Sequence, residues 1–237
     1  MKYHFDTYDL YARVFPSYLA IAPVVLTLAA VLPDGLNLQL GGAAAVVFIP
    51  LAFLAGQVTA DLGKRLEKRL WLKWGGAPTT RFLRHANSEF NQTTKRRIHE
   101  KLRSLGLYIP LAEEEKSHPQ EADGYYESCV AELIRQTRDR NRFPHVFREL
   151  TAYGFRRNLL GLKPIGLPLS SLAFGFSLWR VWVTLRSGEP SAVATTVPLL
   201  SLSLLLVWLF WVNEKAVKLA ADRYARFLLE AALNLEG

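Results

Sequence analysis

The chain has a single cysteine, Cys129, so no disulfide can join two of its residues. One isolated thiol is what a reducing compartment gives. Paired cysteines for zinc are absent, and the five histidines (His4, His85, His99, His118 and His145) are scattered. No metal and no cofactor is expected from such spacing. The loops GxxxxGK[ST] and GxGxxG are missing, as are HExxH and GxSxG, which removes the commonest routes to phosphoryl transfer, hydride transfer, metalloproteolysis and serine hydrolysis. The start of the chain lacks a basic n-region and a small-x-small cleavage site, so a removable leader is not expected.

The most informative absence is that of charge. The 237 residues include 29 Lys or Arg and 21 Asp or Glu, a net charge of +8. Yet residues 14–33, 35–60 and 190–213 contain no Asp, Glu, Lys, Arg or His, and residues 164–185 contain Arg180 alone. A run of about 20 uncharged residues is what an α-helix needs to cross the hydrocarbon of a bilayer. A buried helix of that length in a water-soluble protein would show a polar stripe, and these runs show none. The expectation is an all-α integral membrane protein with four transmembrane helices in two hairpins and a helical cytoplasmic domain between them.

Orientation follows from where the positive charge lies. Residues 61–163 hold twenty-one of the twenty-nine basic residues and 214–237 four more, whereas the turn at 33–37 has none. By the positive-inside rule both termini and the central region face the cytoplasm, in a bacterial inner membrane. Trp208 and Trp211 mark an inner aromatic belt, Trp179 and Trp182 an outer one. Arg180, about 25 Å along its helix from Lys163, reaches the outer interface, where it can snorkel. The spans hold no Asp, Glu, Lys or His, which argues against an ion-coupled transporter.

Five segments follow: an aromatic cytoplasmic arm (1–13), a first hairpin (14–60), a basic helical domain (61–163), a second hairpin (164–213) and a C-terminal amphipathic helix (214–237). Ala52, Gly56 and Ala60 repeat as small-xxx-small, a pattern that lets a neighbouring helix approach closely. The second span is expected to run on through DLGKRLEKRLWLKW to Gly75-Gly76. Within the domain, helices are expected to stop at Gly106, to start at Pro119 and to start again at Pro144, with Tyr126, Cys129, Val130, Leu133 and Ile134 at helical spacing. The last helix carries an apolar stripe (Val217, Ala220, Tyr224, Phe227, Leu228, Ala231) that must be buried, on the domain or on other subunits.

Seven acids lie between Glu113 and Glu132, and the rest of the domain is strongly basic. Its second basic cluster is nearly pure arginine: Arg135, Arg138, Arg140, Arg142, Arg148, Arg156 and Arg157. Positive-inside sorting is satisfied by either basic residue, whereas arginine supplies a planar fork suited to phosphate. Arg138, Arg140, Arg142, Arg156, Arg157 and Lys163 are therefore the candidate site for an anionic ligand: a nucleotide, a nucleic acid or an anionic lipid. Internal salt bridges to the acidic stretch are the alternative use of these charges.

The stretch RDRNRFPHVF contains Arg140-Asn141-x-x-x-His145, which resembles the R-N-x-x-x-H pattern of HEPN-type ribonucleases. That resemblance implies a catalytic pair, Arg140 and His145, acting on an RNA backbone, although Pro144 stands immediately before the histidine and interrupts a helix there. The layout as a whole resembles the small multi-pass membrane effectors and sensors of bacterial anti-phage systems. It implies a homo-oligomer whose cytoplasmic domain senses an anionic ligand and gates a channel or perturbs the membrane. Alternatives are a membrane-tethered ribonuclease and a non-catalytic scaffold that recruits a soluble partner protein.

Overall fold

The computed structural model describes residues 7–31, 41–188 and 192–235, with side chains outside 28–31, 41–49 and 192–195. The chain is all-helical, with no strand among the described residues. It divides into two units. Unit 1 comprises Met1–Leu66 and Gly154–Val217, and unit 2 comprises Glu67–Tyr153 and Lys218–Gly237. The helices are α1 (Thr7–Asp9), α2 (Phe15–Val31), α3 (Gly41–Trp74), α4 (Pro78–Leu83), α5 (Gln92–Ser104), α6 (Ala112–Ser117), α7 (Pro119–Gln136), α8 (Pro144–Ser187), α9 (Ala192–Leu206) and α10 (Glu214–Ala231). A π turn, Leu10–Val14, joins α1 to α2, and a second, Val207–Trp211, follows α9.

Among the described residues two helices are long and apolar enough to cross a membrane, Thr7–Thr27 and Pro144–Ser187. The pair Thr196–Trp211 and Glu214–Asn234 makes a third if it is one broken span. Of the expected second span, residues 35–40 lie outside the described residues.

Unit 2 is built around a helical core. α3 ends in a Schellman motif: Gly76 N donates to Trp71 O at 2.8 Å and Gly75 N to Leu72 O at 3.3 Å. The two glycines take φ of 77° and 121°, values an L side chain resists. α5 opens with the Asn91 side chain accepting from Thr94 N and closes with Gly106 at φ 79°, where Leu107 N reaches Leu102 O. α7 opens on Pro119 and α8 on Pro144, positions where the missing proline N–H has no helical partner to lose.

The core of unit 2 gathers Phe82 and Leu83 from α4, Ile98 and Leu102 from α5, Tyr126, Cys129 and Leu133 from α7, Phe143 and Val146, and Ala225, Leu228 and Leu229 from α10. Leu228 and Ala231 of the last helix's stripe are thus buried in the core of their own chain, with Tyr224 and Phe227 partly buried against it. Each such Leu or Phe contributes roughly 1.5–3 kcal/mol on burial. Ile134 is 41% exposed. The buried row on α7 runs 122, 126, 129, 130, 133, and residue 134 lies about 100° beyond 133, off that face.

Unit 1 is held differently. Its core is small: Ala20, Leu159, Leu162, Trp208 and Val212, flanked by Leu19, Leu62, Phe155 and Leu167. Close backbone approach does much of the packing. A Cβ on Gly161 would meet the α3 backbone, with Gly63 N at 2.9 Å and Leu62 C at 3.0 Å. A Cβ on Gly166 would overlap the Trp208 ring. Trp208 is therefore a core residue rather than part of an aromatic belt, while Trp179, Trp182 and Trp211 are exposed. α8 is one uninterrupted helix through Pro164 and Pro168.

Candidate functional site

In unit 2 the segment between α4 and α5 is clamped by polar side chains from three helices. Lys95 of α5 donates to Arg84 O at 2.9 Å, to His85 O at 3.1 Å and to Asn87 O. Glu115 of α6 accepts from His85 N and from the Tyr126 hydroxyl, both at 2.7 Å. Arg84 makes a bidentate pair with Asp123 of α7, both contacts at 2.7 Å, and also donates to Gly75 O. His99 bonds Leu83 O at 2.8 Å and meets the His85 ring edge-on at 4.9 Å.

Burial, with the positive charges of Arg103 and Lys95 nearby, pushes His99 down to about 4, so the ring is neutral at pH 7. Burial also lowers Lys95 and raises the Cys129 thiol to about 11, which leaves that sulfur an inert core atom. Burial opposes ionisation of Glu115, but the His85 N–H and the Tyr126 hydroxyl outweigh it and lower its pKa. These groups are engaged by backbone and by one another, so the cluster is a structural clamp. Among the described residues no three His, Cys, Asp or Glu stand close enough to hold a metal ion.

The segment between α7 and α8 is shaped by Asp139. Its carboxylate accepts from Asn141 N at 2.9 Å and its carbonyl from Phe143 N at 2.9 Å, a compact Asx turn. Arg138, Arg140 and Arg142 are all exposed on this turn. The Arg140 guanidinium lies 4.2 Å over the Phe147 ring and that of Arg142 lies 5.5 Å over Phe143. Neighbouring Arg135 and Arg148 are used internally, on Glu132 at 2.5 Å and on Glu149 at 3.2 Å. Arg135 and Gln136 hold Glu132 down to about 2. His145, in the first turn of α8, is exposed and faces Phe227 at 6.1 Å. Arg140 and His145 are thus each laid against a different aromatic ring.

Arg156, Arg157 and Lys163 belong to unit 1 and serve its helices. Lys163 donates to Val212 O at 2.7 Å and Arg156 to Ala216 O at 3.1 Å. Arg157 is buried and bonds Asn158 Oδ1 at 3.1 Å. Asn158, fully buried, donates to Ala12 O at 2.7 Å, inside the π turn that precedes α2. A π turn shifts the hydrogen-bond register and leaves a carbonyl to be satisfied from elsewhere, and Asn158 supplies the donor. Sequence reasoning missed Asn158. Its signal was a lone carboxamide, a poor helix former, in the middle of RRNLLGLK.

Of the three small residues expected at a helix contact, Gly56 is buried under Val14, where an added Cβ would come within 3.2 Å, and Ala52 and Ala60 are half-buried. The closest approach falls two turns further on, at Gly63, where a Cβ would overlap Asn158 Oδ1. No family model, no curated protein and no solved structure matches the chain.

Proposed function

We propose that the protein is a four-span membrane protein of the bacterial inner membrane, with both termini in the cytoplasm, whose unit 2 senses a phosphate-bearing anion through Arg138, Arg140 and Arg142. The observation that carries this reading is the arginine turn. Three guanidinium groups are exposed on a turn fixed by Asp139, and two of them are laid on aromatic rings. A guanidinium laid on a ring has less freedom to lose on binding, which favours bidentate contact with phosphate; Arg142 also donates to Asn234 O at 3.4 Å. The turn leads into α8, a single helix that also carries an apolar span, so an anion bound at the turn loads a membrane helix directly.

The test is the double variant Arg138→Glu/Arg142→Glu. Each charge-assisted contact contributes roughly 1.5–3 kcal/mol, so losing two should weaken binding of nucleotide, RNA or phosphatidylglycerol vesicles at least about a hundredfold. Equal binding by wild type and variant to every one of these anions would remove the reading and leave the arginines as a topology signal. The four-span arrangement is checked by thiol labelling at Gly35→Cys and Gly188→Cys, expected outside, and at Ser117→Cys, expected inside.

A further inference from the structure

The last apolar helix of unit 1 is interrupted, and two cations hold the interruption. α9 runs into the π turn Val207–Trp211, the chain turns extended at Val212 with ψ 92°, and α10 starts at Glu214. A break of this kind frees backbone carbonyls, which are costly to leave unpaired beside lipid. Lys163 satisfies Val212 O, Arg156 adds a bond to Ala216 O, and the Asn213 carboxamide donates to Phe210 O at 2.9 Å while accepting from Ala216 N at 2.9 Å.

Arg156 and Lys163 are seven residues apart, two turns of α8, and so share one face. Both are half-buried and both direct their charge at neutral carbonyls; neither has a hydrogen bond or ion pair to a carboxylate among the described residues. Beside Arg156 lies a small cleft lined also by Leu159, Trp211, Asn213 and Val217. Trp211 is exposed and packs on Phe155 at 6.3 Å, the amphipathic ring expected at a headgroup level. Two cations facing only carbonyls on one helix face, next to an interfacial tryptophan, form a receptor for an anion that offers several oxygens at once. A phosphate oxyanion outcompetes a peptide carbonyl for both donors, because it adds the opposite full charge and accepts from arginine bidentately.

We infer that Lys163 and Arg156 form a phosphate site at the Val212–Asn213 break, and that a phosphate bound there draws the two cations off the carbonyls that hold the break. The inference is independent of the arginine turn of unit 2. The phosphate is that of an anionic lipid headgroup or a free phosphate ion, and the two sources separate experimentally.

Nitroxides are placed at Leu199 and Leu219 in a Cys129→Ala background, and the full chain is reconstituted in phosphatidylcholine nanodiscs. The distance across the break is measured by pulsed electron resonance. One arm replaces phosphatidylcholine stepwise with phosphatidylglycerol in phosphate-free buffer, and the other adds inorganic phosphate at constant lipid. A change of the distance distribution in the first arm identifies a headgroup site, and a change in the second alone identifies a free-ion site. In the responding arm Lys163→Met should raise the midpoint about tenfold, one charge-assisted contact. Lys163→Arg should keep the midpoint. A wild-type distribution unchanged in both arms overturns the inference, and this result needs no variant to fold. A Lys163→Met midpoint equal to wild type overturns it equally.

Discussion

Proline does opposite things in the two units. In unit 2, Pro78, Pro119 and Pro144 open helices, where the absent N–H costs nothing. In unit 1, Pro23, Pro50, Pro164, Pro168 and Pro198 lie inside helices. Glycine tends the same way, although Gly188 of unit 1 also takes a positive φ, 76°, at the end of α8. Gly75, Gly76 and Gly106 of unit 2 sit at positive φ and end helices, whereas Gly63, Gly161 and Gly166 of unit 1 let helices touch. The surfaces differ too: among the described residues most of the exposed large apolar side chains, Leu172 and Phe210 among them, belong to unit 1, although Leu72 of unit 2 is 83% exposed. Helices in water are bounded by caps and pinned by a hydrophobic core. Helices in lipid gain little from apolar contact, so they pack through small residues and satisfy irregular backbone with neighbouring side chains.

That contrast is broken most severely at Gly161. A leucine there would push on the α3 backbone rather than on a side chain that can swing away. Gly161→Leu should destabilise unit 1 by about 3 kcal/mol or more, read from refolding in detergent. Gly124 of α7 lies in open space, with no heavy atom within 4 Å of where a Cβ would stand, so Gly124→Ala should instead stabilise unit 2 by roughly 0.8 kcal/mol in urea unfolding.

Acid should separate the units next. His99 has a folded value of about 4 against 6.5 when free, so between those values the unfolded chain binds more protons. Stability of unit 2 is full above pH 6.5 and falls as pH drops towards 4, by at most about 3 kcal/mol. Glu115, whose folded pKa is lowered, loses its contribution in the same direction at lower pH. Hydrogen exchange, corrected for the intrinsic pH effect, should show protection of α5 and α7 falling at pH 5, while α8 beyond Gly154 stays protected. A smaller effect, roughly 2 kcal/mol, is expected for Lys95→Met in urea unfolding, because three carbonyls of the 84–87 segment lose their donor.

Much of unit 2 was legible because its signals are local. The glycine pair at 75–76, Gly106, Pro119 and Pro144 act through backbone geometry that any context preserves. The contacts of unit 1 were legible only in outline. A strict i, i+4 series such as Ala52, Gly56, Ala60 drifts about 40° per step around a helix of 3.6 residues per turn. The buried face of α3 instead follows Gly56, Thr59, Gly63. The π turns were unreadable, since a one-residue register shift leaves no periodic mark in the sequence. Arg156, Arg157 and Lys163 look in sequence like any basic flank of a span. Only the placement of the Val212 and Ala216 carbonyls distinguishes a capping role from a topology signal.

The central claim is that unit 1 is solvated by lipid and unit 2 by water, and the direct measurement is collision accessibility of single nitroxides in nanodiscs, in a Cys129→Ala background. Labels at Leu54, Leu172 and Phe210 should collide with oxygen and be shielded from a water-soluble nickel chelate, and labels at Leu111 and Ile134 should show the reverse. Nickel accessibility at Leu172 and Phe210 equal to that at Leu111 would contradict the account.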